Sequence, residues 1–225
     1  YIRQVILGKF DGDDIEIDDE DLSSDFKVLL SYYQKVKDKP SGQEFIQKVK
    51  EKIYLVAKDD ILYRPHELYF YSHDLELYLS ALDNIQFVNL DFYKDAIEEF
   101  GMETVKLFIS RLGVRFYPEI KSVTRSNIWN LATRLREQIS IFEIKEYHFE
   151  DFVLTGFDEF INQEVTKETS LYLWNVMLPA LKFANYEHMT MIYRKKYAHF
   201  FDKAYYDSTF KDALQYSEWI FDKNG

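Results

Sequence analysis

Five histidines, thirty-nine carboxylates and no cysteine are the raw material this 225-residue chain offers for chemistry. His66-Glu67 begins like a zinc helix, in which two histidines one turn apart hold the metal and a glutamate acts as base. Phe70 stands where the second histidine must be, so that motif fails. His66, His73 and Asp74 converge only if the chain folds back between them; surface histidines are the preferred reading and no metal is expected. The acidic run Asp11 to Asp21 fails as a calcium loop, because Ile15 occupies the fifth ligand position and Gly12 follows the first Asp instead of the fifth ligand. Gly8-Lys9 lacks the preceding glycine and the following Ser or Thr of a phosphate loop, and no Gly-x-Gly-x-x-Gly occurs. No Gly-x-Ser-x-Gly elbow marks a nucleophilic serine. Without cysteine there is no disulfide, zinc ribbon, iron–sulfur site or thiol nucleophile. No cofactor is expected to bind this segment itself.

The sharpest catalytic candidate is Arg194-Lys195-Lys196-Tyr197-Ala198-His199. An arginine and a histidine so spaced resemble the active motif of the HEPN ribonucleases. The resemblance implies that Arg194 would steady a phosphate and His199 would act as acid or base on a ribose hydroxyl, with both near one helical surface. The Tyr and Phe density of the segment also fits strands, which would break that geometry. A packed aromatic segment is the preferred reading, and no catalytic residue is assigned beyond this alternative pair.

Charge narrows the partners. Net charge is −11, of which −7 falls in residues 1–25. A phosphate backbone meets net repulsion, which disfavours non-specific nucleic-acid binding. Arg194-Lys195-Lys196, and Arg111 with Arg115, read as solvated faces able at most to hold one anion. No apolar run is long enough to span a bilayer, so no membrane partner is expected. Forty aromatic residues, with only 7 Gly and 4 Pro, rule out a disordered or collagen-like chain. The absence of cysteine fits a reducing compartment, and a cytoplasmic location is expected. Tyr1-Ile2-Arg3-Gln4 is no signal peptide, and the start without Met and the end at Asp222-Lys223-Asn224-Gly225 read as those of an excised piece of a longer protein.

The elements that must position these residues follow from periodicity. Residues 1–25 read as an acidic, flexible lead-in. Phe26, Leu29, Leu30, Tyr33 and Val36 form the stripe of an amphipathic helix that Pro40 and Gly42 stop. Ser41 with Glu44 reads as a capping box for a second helix through Phe45, Ile46 and Val49. Ile53 to Ala57, the polar Lys58-Asp59-Asp60, and Ile61 to Tyr63 read as a hairpin, with Leu68 to Tyr71 a further strand. Phe87 to Tyr93 fits either an edge strand or the approach to a helix. Two helical stripes meet at Gly101, and Gly113 ends the second. Further helices are expected at Ile128–Phe142 and through Leu171, Trp174, Met177, Leu178 and Leu181, with Pro179 a kink or end. Tyr147, Phe149 and Phe152 fit strand or loop, and residues 186–207 fit paired strands or one aromatic helix. Thr209 with Asp212 caps a short helix, and Trp219-Ile220-Phe221 closes as a strand. The fold class expected is α+β, helix-rich, with small antiparallel β-hairpins packed on helices. Residues 26–225 are expected to form a single compact module, with a subdivision near 118–125.

Several phrases together resemble the middle region of sacsin-like proteins, which carry an N-terminal GHKL-type ATPase akin to the heat-shock chaperone fold. They are Lys52-Ile53-Tyr54-Leu55-Val56 with Tyr63-Arg64-Pro65-His66-Glu67-Leu68-Tyr69, then Phe87 to Tyr93, Phe108 to Arg115, Thr169 to Trp174, and Phe210 to Gly225. The resemblance spans most of residues 50–225. It implies a non-catalytic structural or interaction module that relays or scaffolds between an upstream ATPase domain of the same chain and a protein partner or client. ATP and Mg would belong to the full-length protein, since neither an Asn-box nor Asp-x-Gly-x-Gly occurs here. The alternatives are the Arg194/His199 ribonuclease and a free-standing peptide-binding domain with an exposed aromatic groove.

Overall fold

Asp18 opens the first helix by accepting the Glu20 backbone N–H on its side chain at 2.8 Å. The computed structural model describes residues 6–10, 18–125, 147–162, 164, 166–182, 184, 189–197 and 200–216. Helix α1 spans Asp19–Val36, with Asp19, Glu20 and Asp21 in its first turn and Lys35 in its last. Acids at the start and a base at the end oppose the helix dipole favourably. The acidic lead-in expected to stay flexible to residue 25 is therefore helical from Asp19, and its apolar stripe begins at Leu22 rather than Phe26. Residues 11–17 of the acidic run lie outside the described residues.

The chain divides into two compact units, one formed by Tyr1–Tyr71 with Asn84–Phe116, the other by Ser72–Asp83 with Tyr117–Gly225. One crossing between the two units falls at Phe116–Tyr117.

In the first unit, α2 spans Pro40–Lys50. Pro40 sits at the start of α2, where its fixed φ suits the first turn and no N–H is needed. The expected Ser41/Glu44 cap is thus displaced: Lys39 is the cap residue and lends no side-chain bond. A Cβ on Gly42 would lie 2.4 Å from the Val36 carbonyl oxygen, so only glycine lets α2 begin this close to the end of α1. Strands β1 (Leu55–Val56) and β2 (Leu62–Tyr63) pair antiparallel as the expected hairpin. Asp60, at φ +62, closes its turn by donating its N–H to the Ala57 carbonyl. Strands β3 (Leu68–Tyr69) and β4 (Gln86–Phe87) pair parallel. An antiparallel bridge from Ala57 to Val88 joins the hairpin to β4, and a parallel bridge from Tyr69 to Arg115 adds a further edge. The short strands thus form one mixed ribbon in the order β2, β1, β4, β3 and the Arg115 segment.

The Phe87–Tyr93 stretch satisfies both of its sequence readings: β4 ends at Phe87, and a 3-10 turn, Leu90–Tyr93, leads into α4 (Lys94–Phe100). Gly101 at φ +84 separates α4 from α5 (Met102–Leu112), and Gly113 at φ +121 ends α5 as expected. The core joins Phe26, Leu29, Leu30, Val49, Leu55, Leu68, Phe108 and Tyr93 in one buried cluster. Phe26 lies 4.4 Å from Tyr93 and 5.5 Å from Phe108, centroid to centroid. Rings in such offset contacts add stabilisation beyond the area they bury. Ile6 is fully buried in the same cluster, and Lys9 bridges Asp21 and Asp25 of α1.

In the second unit, α3 (His73–Leu79) buries Leu75, Tyr78 and Leu79. Tyr78 donates its hydroxyl to the Thr155 carbonyl at 3.0 Å, and its ring packs on Phe160. Strands β5 (Ile120–Arg125), β6 (Tyr147–Leu154), β7 (Thr190–Tyr197) and β8 (Phe200–Asp207) form an antiparallel meander in chain order. The aromatic stretch that fits strands or helix is therefore a pair of strands, and Tyr147 to Phe152 is strand. Helix α6 is Phe157–Ile161, α7 is Lys167–Leu181, and α8 is Thr209–Tyr216. Pro179 lies inside α7, two residues before its end. The buried face of α7 is Ser170, Leu173, Val176, Met177 and Ala180, whereas Leu171 and Leu178 of the anticipated stripe are exposed. The expected helix at Ile128–Phe142 and the closing strand at Trp219–Phe221 lie outside the described residues. The fold is α+β and helix-rich, its short antiparallel strands packed with helices.

Candidate functional site

Arg194 lies in β7, paired with His148 of β6 and Lys203 of β8. A strand repeats every two residues, so the helical surface that the ribonuclease motif requires is not formed at Arg194. His199 lies outside the described residues. His66 sits in a 3-10 turn, Pro65–Glu67, that leads into β3; its backbone closes against Gly113. His73 begins α3, with its Nδ1 4.0 Å from Glu76 and its ring edge-on to Tyr172. Asp74 accepts the Asn175 amide at 2.9 Å. Among the described residues no three His, Asp or Glu gather closely enough to hold a metal ion.

The polar residues of the second unit converge elsewhere. Asp151 of β6 is fully buried. Its carboxylate accepts Arg125 Nε at 2.8 Å, the Thr209 backbone N–H at 2.8 Å and the Thr209 hydroxyl. It also accepts the Phe152 N–H at 2.8 Å. A buried carboxylate must be paired and fully hydrogen-bonded to persist in charged form, and these donors fill its oxygens. The cap of α8 is therefore Ser208, whose Oγ accepts the Lys211 N–H, with Asp151 beside it; the Thr209/Asp212 cap expected from sequence is shifted by one residue. Asp158 keeps an exposed side chain, but the protein packed around it pushes its carboxyl up, with Glu159 and Asp151 adding repulsion and Arg125 opposing. On α7, Tyr172 hydrogen-bonds Glu168, which pushes the phenol up to about 12.

In the first unit Tyr93 is buried, and its hydroxyl accepts the Val56 N–H at 3.1 Å. Burial raises its pKa, so the phenol stays neutral there. An open feature among the described residues of this unit is a cleft of about 1080 Å³ between the outer face of α1 and the turn leading into α4. Glu20, Ser24, Lys27, Val28, Ser31 and Lys35 form its α1 wall, and Phe92, Lys94, Asp95 and Glu99 the other. Lys27 and Glu99 join across it at 2.7 Å, and that hydrogen bond raises the lysine pKa. Val28 and Tyr32 are exposed apolar groups within it. No sequence signal marked this cleft, because Ser, Lys and Glu at helical spacing read as an ordinary solvated face. Asp151 was equally hidden, since its partners lie 26 and 58 positions away.

The chain matches no known family profile, no curated protein and no solved structure.

Proposed function

We propose that this chain is a non-catalytic interaction module from the middle of a large sacsin-like ATP-binding protein, scaffolding or relaying between an upstream ATPase domain and a protein partner or client. One observation carries the reading. Asp151, Tyr93, Asp74 and Tyr172, groups able in principle to do chemistry, are committed to hydrogen bonds within the framework. The helix-flanked cleft, by contrast, is open and lined by mixed charge. An open, elongated, mixed-charge surface suits a macromolecular partner better than a small ligand, which needs an enclosed and mostly apolar pocket.

The sacsin-like phrases fall on framework positions: β1, β4 with its 3-10 turn, the end of α5 with the Arg115 edge, and the start of α7. On this reading ATP and Mg are held upstream in the full-length protein, the location is cytoplasmic, and the net charge of −11 disfavours nucleic acid. Among the described residues no helix is long and apolar enough to cross a membrane. Sequencing the complete reading frame that encodes this chain tests the assignment. An Asn-box and a glycine-rich lid upstream are expected; a full frame lacking both overturns it.

A further inference from the structure

We propose that the α1 face of the cleft is a self-association surface, on which α1 of a second copy of this chain lies antiparallel about a two-fold axis. The inference goes beyond the interaction-module reading and stands without it.

The outer stripe of α1 is Glu20, Ser24, Lys27 with Val28, Ser31 and Lys35, steps of three and four residues that keep to one face. Laid antiparallel on itself with the axis between Lys27 and Val28, the stripe is self-complementary. Glu20 faces Lys35 of the second copy and Lys35 faces its Glu20. Ser24 faces Ser31, and the Lys27–Val28 step meets itself at the axis. This is the isologous pattern a two-fold dimer demands, in which each patch is its own partner. Charge complementarity is satisfied twice, whereas a parallel in-register arrangement sets Glu20 against Glu20 and Lys35 against Lys35.

Sterics agree. Ser24 and Ser31 are small, seven residues apart and on the contact line, so the two helices can approach closely. Exposed Val28 and Tyr32 supply apolar contact near the axis. An 18-residue helix gives a contact at the small end of specific interfaces, below about 1,200 Å².

Sedimentation equilibrium of the 225-residue chain at 10–500 micromolar tests this. A mass rising from 27.1 kDa towards twice that value is expected. Lys35→Glu or Glu20→Lys alone weakens association by about tenfold or more, since each sets two like-charged pairs face to face. The double exchange E20K/K35E recreates the pairs with their signs reversed and restores it. Ser31→Trp blocks close approach and abolishes it. Circular dichroism checks the helix content of each variant. Should a variant lose its fold, the unmodified chain still decides: raising salt from 0.05 to 0.5 M weakens the dimer if these pairs hold it. A chain that stays at 27.1 kDa throughout, a dimer indifferent to the single reversals, or one indifferent to salt overturns the proposal.

Discussion

The Asp151 carboxylate accepts the Thr209 backbone N–H at 2.8 Å, across 58 positions of sequence. That bond joins β6 to the first turn of α8, and the Arg125 guanidinium reaches the same carboxylate from β5. Three elements of the second unit thus depend on one buried charge. Replacing it with Ala strands the Thr209 donors and leaves Arg125 unpaired, and breaking a buried pair in this way costs about 3–5 kcal/mol. Asp151→Ala is expected to lower urea stability by about 3 kcal/mol, and Asp151→Asn by less, because its amide oxygen still accepts. Equal stability of the Ala variant and the parent chain contradicts the structural role.

Tyr93 makes the corresponding tie in the first unit. Its ring fills the core beside Phe26, while its hydroxyl accepts the Val56 N–H. Tyr93→Phe keeps the packing and leaves that N–H without its acceptor, a cost of about 1–3 kcal/mol. Hydrogen exchange reads this at one amide: Val56 should lose protection in the variant while Leu29 and Leu30, buried in the middle of α1, retain theirs. Unchanged Val56 protection would count against the bond.

Alkaline titration tests the Tyr172–Glu168 pair. The phenol's folded pKa is raised from 10.0 to about 12, chiefly by the hydrogen bond to Glu168. A raised acid favours the folded state while protonated, so this contribution is fully present below pH 10 and disappears as pH rises through 12. Glu168→Gln removes the carboxylate and brings the ionisation down towards 10. The phenolate absorbance difference between parent and variant should therefore concentrate between pH 10 and 12; no difference in that window contradicts the pair.

Much of the framework is legible in the sequence because it is written locally. The β1–β2 hairpin shows as two apolar runs around Lys58-Asp59-Asp60, and Gly101 and Gly113 mark helix limits that require positive φ. What escapes is non-local or two-faced. Nothing in Leu68-Tyr69 announces a parallel partner at Gln86-Phe87, since short apolar pieces carry no pairing signal. Helix α7 is apolar nearly all round, so Leu171 and Leu178 pass for core residues although Ser170, Leu173 and Val176 are the ones buried. Thr190 to Asp207 carries rings without a settled period, and only strand pairing decides between strand and helix. The candidate cleft escapes for a different reason: its residue types are those of any solvated helix face, and its significance lies in their mirrored order along α1.

The central proposal is that this chain works by binding, not by turnover of its own. Phosphate release from Mg-ATP by the purified 225-residue chain tests it most directly. The expected rate is that of the protein-free blank at every chain concentration; release that grows in proportion to the chain contradicts the account.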